Sequence, residues 1–436
     1  MSAEAVVIIS LIVLTALLVA GVPVPFAFSG ITIVLVILLD YSPDFLIPAG
    51  YSKIGSLVLL CIPLFMIAGG IIREGKIGDA LVGFIEQFIG RFKTGLGAVT
   101  VVVCAVFGAI SGSSAATLSA VGSIMAPKLK DRGYPDGIIA ALLASSSVLG
   151  LLIPPSAAQI LYAWSSGTSV LACFLATIVP GIMVATLFCI VQYFQVRKVK
   201  SIQEAPCQKY DMSFKPVMKR TGYAVPALFM PVIILGGIYG GFMTTMEAAA
   251  VAAVYCVPVA ICFYKGMKFK NMGKTLVDAA ASAGAVMMML MSCQLFARIL
   301  TTERVPDMLL NRVMSLTDNR VIIILMLNLV MIVLGMLMDD GSAILLSTPL
   351  LLPIATSIGI DPVHYAAIMG VNLGMGLVTP PTAPMLYFGA QVAKAPVGEA
   401  IKPAIQYILF AWIPVLLITT FVPEISLWLP RMILGI

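Results

Sequence analysis

A stretch at residues 133–157, GYPDGIIAALLASSSVLGLLIPPSA, returns without a gap at 359–383 as GIDPVHYAAIMGVNLGMGLVTPPTA. The offset is constant at 226 (359 against 133): Gly133, Ala140, Ala141, Gly150, Leu151, Pro154, Pro155 and Ala157 recur as Gly359, Ala366, Ala367, Gly376, Leu377, Pro380, Pro381 and Ala383. Pro127 matches Pro353 at the same offset. A proline pair inside an apolar run stops one helix and forces the chain to restart another. Two such breaks at corresponding places define an internal repeat, and repeated interrupted helices are the best sequence pointer to a transport site.

The solvent for this repeat is lipid. Hydrophobic residues make up 60% of the chain and charged residues only 11%, whereas soluble domains are about one quarter charged. The apolar run at 5–20 continues through Pro23 and Pro25 into another at 31–39, so it reads as a first transmembrane helix rather than a cleaved signal. Eight scattered cysteines without a CxxC pair read as small buried hydrophobes. His364 is the single histidine and no HExxH motif occurs, which argues against a transition-metal site, a histidine-based triad and an enzyme. Seven basic residues between Arg197 and Arg220 (Arg197, Lys198, Lys200, Lys209, Lys215, Lys219 and Arg220) form a topology signal of the cytoplasmic side, not a nucleic-acid site.

Apolar runs near 3–20, 24–40, 54–72, 136–165, 170–195, 222–241, 245–264, 277–299, 362–392 and 401–422 are long enough to cross a bilayer of about 30 Å. Two further runs, 95–130 and 320–358, are interrupted at their centres by SGSSAAT (Ser111–Thr117) and DDGS (Asp339–Ser342). They read as re-entrant hairpins. Each half then has five crossings, and the odd number inverts the second half. The expected organisation is an all-α polytopic protein: a first inverted repeat at 1–200, with its hairpin at about 95–130 and broken helix at about 136–165; a basic linker at 201–221; and a second repeat at 222–436, with hairpin at about 320–358 and broken helix at about 362–392. With the linker in the cytoplasm, Arg73, Lys76, Arg91, Lys93, Lys128, Lys130, Arg132, Lys265, Lys268, Lys270, Lys274 and Lys394 fall on that side too. The two termini and the turn near Gly167 fall outside. Arg304, Arg312 and Arg320, with Glu303, Asp307 and Asp318, would then lie outside as an amphipathic surface helix. Gly112 and Ser113 align with Gly341 and Ser342 after a three-residue adjustment.

A helix stopped within the bilayer leaves carbonyls free at one end and N–H groups at the next start, and these must find partners. Carbonyl ends suit a desolvated Na+ and N–H ends an anion. The prolines are expected in the first turn of each restarted helix, with Gly150 and Gly376 opening the turn before. Each half thus has a candidate Na+ site between hairpin tip and break. In the first half it comprises Ser111, Gly112, Ser113, Ser114, Gly150, Ile153, Pro154 and Ser156; in the second, Asp340, Gly341, Ser342, Asn372, Gly376, Thr379 and Thr382. No carboxylate cage suggests Ca2+. Ser114, Thr117, Pro155 and Pro381 are candidate substrate contacts. Arg298, within an apolar span, either attracts a substrate carboxylate or snorkels to the interface. Asp339 and Asp340 are carboxylates at mid-depth, a costly placement that points to function. Glu247 reads as a helix start and Met287–Met289 and Met291 as packing surface.

IPLFMIAGG (62–70), FGAISGSSAAT (107–117), PPSAAQILYA (154–163), IVPGI (178–182), MEAAAVAAVY (246–255) and GIDPVHYAAIMGVNLGMGLVTPPT (359–382) together resemble the large membrane subunit of tripartite ATP-independent periplasmic (TRAP) transporters. The resemblance covers nearly the whole chain. It departs at Thr117, where many relatives have Asp, at TTME (244–247) and at TAP (382–384). It implies a bacterial inner-membrane, elevator-type secondary transporter with Na+ coupling, a small four-helix membrane subunit and a soluble periplasmic binding protein. Its substrates would be organic acids such as C4-dicarboxylates or sialic acid. The alternative is a stand-alone Na+/carboxylate symporter or antiporter without a binding protein.

Overall fold

A computed structural model describes residues 3–90, 92, 94–204 and 214–435. Arg91, Lys93, Cys207 and Lys209 lie outside the described residues, as do the side chains of Lys215 and Lys219. The described residues contain no strand. In lipid every backbone N–H and C=O must be paired within the segment, which leaves helices as the solution for apolar runs of this kind.

The chain begins with α1 (Ala3–Val19), α2 (Val24–Leu38), α3 (Pro43–Ile54), α4 (Cys61–Glu74) and α5 (Ile77–Ile89). It continues through α6 (Gly95–Ser111), α7 (Ser114–Asp131), α8 (Asp136–Ser147), α9 (Ala157–Ser166), α10 (Val170–Val196) and α11 (Lys200–Glu204). Helix α12 (Phe214–Tyr239) begins within the stretch expected as a linker, and α13 (Thr245–Pro258), α14 (Phe269–Thr302) and α15 (Val305–Leu316) follow. The chain ends with α16 (Arg320–Leu337), α17 (Asp340–Ser357), α18 (Pro362–Gly376), α19 (Pro384–Ala393), α20 (Val397–Tyr407), α21 (Ile413–Phe421) and α22 (Glu424–Leu434).

Seven helical stretches among the described residues are long and apolar enough to cross a membrane, and shorter apolar helices accompany them. The 12 residues of α8 reach only about 18 Å, well short of about 30 Å, and the 10 residues of α9 complete the distance. Besides the short α11, three helices escaped the sequence reading: α3, α5 and α22. Ser42 caps α3 by accepting the Asp44 N–H at 3.2 Å, with Pro43 in the first turn, so a separate helix precedes the run at 54–72. Helix α5 is amphipathic and too short to stand out as a span. Glu247 does mark a helix start: it closes a capping box with Thr244, whose N–H donates to Glu247 Oε2 at 2.8 Å while Thr244 Oγ1 accepts the Glu247 N–H at 3.3 Å.

The helices repeat with the same register as the proline block. Shifted by 226, α7 falls residue for residue on α17, and the first residue of α8 falls on the first of α18. This removes the three-residue adjustment at the hairpin tips. Helix boundaries pair Ser113 with Asp339 and Gly112 with Met338, whereas Gly341 and Ser342 lie inside the first turn of α17, level with Ala115 and Ala116. The shared Gly-Ser dipeptide had matched residue types across different positions of the helix.

Two packed groups result. In the first, α2, α3 and α4 lie against α14, α13 packs on α4, and α12 on α13 and α5. In the second the halves interlock reciprocally: α7 packs on α19 and α17 on α9, α8 on α19 and α18 on α9. Tyr162 Oη of α9 donates to the Pro362 carbonyl of α18 at 2.6 Å. The long helix α14 also touches α17, joining the groups.

Candidate functional site

The first hairpin turns at Gly112, with φ +62°. A side chain there would place its Cβ 3.2 Å from the Pro155 carbonyl oxygen and 3.3 Å from the Ala157 nitrogen, in a conformation that favours glycine. The Gly112 carbonyl accepts the Ala157 N–H at 3.2 Å, stitching the hairpin tip to the start of α9. Ser113 Oγ accepts the Ala116 N–H at 3.4 Å and so caps α7. Thr117 Oγ1 donates to the Ser113 carbonyl at 2.8 Å and lies 2.9 Å from Ser111 Oγ. Ser111, Ser113 and Thr117 therefore form one cluster of oxygens, with Ser114 buried beside it.

The neighbouring break runs from a 3-10 turn at Val148–Leu151, through a cis Pro154–Pro155 bond, to Ser156, which precedes α9. The second break matches it: α18 ends at Gly376, Pro380–Pro381 is cis, and α19 starts at Pro384. In neither half does the proline pair lie in the first helical turn. Both pairs form the bend before it, and of the prolines at the two breaks it is Pro384 that occupies the first position of the restarted helix. The glycines also have another use than opening a turn. A Cβ on Gly108 would meet the Gly150 Cα at 2.6 Å, and one on Gly376 would meet the Gly335 Cα at 2.8 Å, so the first arm of each hairpin crosses its broken helix glycine against glycine.

At the second tip, Asp339 Oδ2 accepts the Ser342 N–H at 3.2 Å, and Ser342 Oγ donates to Asp339 Oδ1 at 2.6 Å. Asp340 opens α17, and a Cβ on Gly341 would reach the Met289 Cε at 2.8 Å. Met289 of α14 is buried, and its sulfur lies 2.9 Å from Ser342 Oγ, so this methionine packs on the hairpin tip itself. Thr379 Oγ1 donates to the Met375 carbonyl at 2.6 Å.

The two breaks share a chemical feature. Ser156 Oγ and Thr382 Oγ1, at equivalent positions, are both buried without a hydrogen-bond partner among the described residues. Buried polar atoms are ordinarily satisfied, and hydroxyl oxygens beside free helix ends suit a hard monovalent cation or water. Asn372 is partly committed elsewhere: its Nδ2 donates to Asn328 Oδ1 at 3.0 Å and to the Ile368 carbonyl at 2.8 Å, and Asn328 Nδ2 donates to Thr420 Oγ1 at 3.2 Å. Only Asn372 Oδ1 remains without a partner. Ser145 and Ser146, in the last turn of α8, also carry buried hydroxyls of this kind. The sequence reading missed them, although Ser146 stands 226 residues before Asn372.

Two polar cavities flank the central block. One of about 130 Å3 joins Ser111 and Ser113 of the first tip to Gly69 and Arg73 of α4 and Asp278 of α14. The other, of about 220 Å3, contains Arg298 with Lys53 and Ser165, and its lining includes neither hairpin tip nor either proline pair. Arg298 is thus set apart from Ser114, Thr117, Pro155 and Pro381. His364 is buried, with Nε2 2.7 Å from the Thr419 carbonyl.

Residues 11–425 match the family model described as tripartite ATP-independent periplasmic transporter, DctM component. The C4-dicarboxylate TRAP transporter large permease protein DctM of Pseudomonas aeruginosa is 35% identical over 373 residues, covering 86% of each chain. The sialic acid TRAP transporter large permease protein SiaM of Vibrio cholerae is 29% identical over 420 residues, covering 96% of this chain and 97% of its own. The fold is similar to that in the crystal structure of the Alcanivorax borkumensis YdaH transporter, with a TM-score of 0.63 at 15% identity, over 94% of this chain and 98% of that one. The protein is a multi-pass inner-membrane transporter subunit, not an enzyme, and it belongs to the DctM-component family of large permease subunits of tripartite ATP-independent periplasmic transporters.

Proposed function

We propose that the chain couples inward movement of Na+ to uptake of an organic acid. The observation that carries this reading is the pair Ser156 and Thr382, buried hydroxyls without partners at equivalent places in both breaks. In the first half a cation would lie among Ser156, the Ser111–Ser113 turn and the backbone around Gly150; in the second, among Thr382, Thr379 and the Asp340–Ser342 turn. Relatives named for C4-dicarboxylate and for sialic acid support an anionic substrate. The substrate would be delivered by a soluble periplasmic binding protein, and a small four-helix membrane subunit would complete the permease.

In this reading the repeats are inverted, with the first hairpin entering from the cytoplasm and the second from outside. The interlocked block of α6–α10 and α16–α22 moves past the group built on α14. Uptake into proteoliposomes holding both membrane subunits, with the binding protein outside, tests the proposal: accumulation should follow an imposed Na+ gradient. Equal accumulation with Na+ on neither side would remove the coupling, and uptake without any binding protein would favour a stand-alone symporter.

A further inference from the structure

The two polar cavities lie toward opposite ends of α14, near Asp278 and Arg298, about 30 Å apart along the helix. They differ in charge. The cavity at the first hairpin tip contains Arg73, but Asp278 lines the same space and Glu74 Oε1 lies 3.6 Å from Arg73 Nε. The other contains Lys53 and Arg298, and no carboxylate lines it among the described residues. Among the described residues neither cation makes an ion pair; Lys53 Nζ instead sits 5.9 Å from the centre of the Trp164 ring. Its walls come from both packed groups: α3 and α14 on one side, α9 through Ser165 and α17 through Pro349 on the other.

We propose that Lys53 and Arg298 form a capture site for an organic carboxylate, on the outer side of the membrane and ahead of the proline breaks. The proposal rests on the function proposed above for the orientation of the chain and for the carboxylate. Two like charges converging on a partly enclosed space raise the local concentration of anions. The Arg298 guanidinium offers a planar fork that matches a carboxylate, and the Lys53 ammonium a mobile point charge. Gln294, Thr301 and Ser165 add neutral hydrogen-bonding groups around them. Lys53 and Arg298 belong to the group around α14, whereas Ser165 belongs to the interlocked block. A displacement of one group past the other therefore changes the shape of the site without moving its charges. At the opposite end Arg73 already has carboxylates beside it, which weakens its hold on an incoming anion and favours release.

The test needs no knowledge of the substrate. Ser165→Cys is made in the full chain, and its labelling in right-side-out vesicles is followed above the background of the unsubstituted protein. Two impermeant methanethiosulfonate probes are used, one ending in a sulfonate and one in a trimethylammonium, each rate normalised to that of free cysteine. The normalised preference for the sulfonate should be about fivefold and should fall as salt rises from about 20 to 500 mM. Lys53→Gln and Arg298→Gln should each reduce it at least twofold, and Lys53→Arg should keep it. Absence of the preference, its persistence in both glutamine variants, or labelling only from the cytoplasmic side overturns the proposal. If a glutamine variant does not accumulate, the salt dependence in Ser165→Cys alone decides. Because labelling requires neither Na+ nor transport, failure of sodium coupling and failure of the capture site are separate results.

Discussion

Ser113 and Asp339 make the same hydrogen bond at the same place in the two halves of the chain. Each accepts the N–H three residues ahead, from Ala116 at 3.4 Å and from Ser342 at 3.2 Å, and each starts the second arm of a hairpin. One is a neutral hydroxyl and the other a carboxylate, so structural and electrostatic roles can be separated at the second tip. Asp339→Asn should retain the cap and the melting temperature of the detergent-solubilised protein, whereas Asp339→Ala should cost about 1 kcal/mol. If the charge serves transport, Asp339→Asn will lose uptake while remaining folded; full uptake by this variant would restrict Asp339 to capping.

The unpartnered hydroxyls at the breaks give a sharper expectation. Ser156→Ala and Thr382→Ala should each raise the Na+ concentration for half-maximal uptake by about tenfold, the scale for losing one contact to a charged group, and Thr382→Ser should restore it. Unchanged Na+ dependence in both alanine variants, with normal amounts of folded protein, would remove these residues from the ion sites.

Close crossing of the hairpins and broken helices should be visible in stability. Gly108→Ala drives its Cβ toward the Gly150 backbone at 2.6 Å, an overpacking that typically costs about 1–3 kcal/mol. Gly30→Ala, with nothing within 4 Å, should leave the melting temperature near that of the parent. Equal effects of the two substitutions would contradict the crossing.

The Asn372–Asn328–Thr420 chain ties α18, α16 and α21 together. Asn328→Leu leaves the Asn372 amide short of a partner and should cost about 1–3 kcal/mol. Combining it with Asn372→Leu should cost less than the sum of the single changes, because the two side chains share one hydrogen bond. Additive losses in thermal unfolding would show that they do not act together.

Much of this architecture was legible because proline and glycine punctuate the apolar runs. Pro154–Pro155 and Pro380–Pro381 located both breaks, and the polar residues around Ser113 and Asp339 located both tips. The register of the tips was not legible, since a capping position accepts either Ser or Asp while an identical Gly-Ser dipeptide occurs three residues away. Helix α3 was hidden because Ser42, Pro43 and Asp44 read equally well as a loop. The reciprocal packing of α7 on α19 and α17 on α9 joins helices from opposite halves of the chain, and no local pattern encodes it. Lys53 carries no sequence signal at all; only the fold places it beside Arg298.

That exchange bears on how the chain can be assembled. Since the second arm of each hairpin rests on a helix supplied by the other half, neither half completes its own core during synthesis. The first waits, with one face of α7 uncovered, until α19 has been made. Cut within the linker, the chain would yield two fragments each lacking the surface the other provides, and only their joint production would restore a finished interior. The repeat therefore behaves as a pair of subunits that happen to share one backbone.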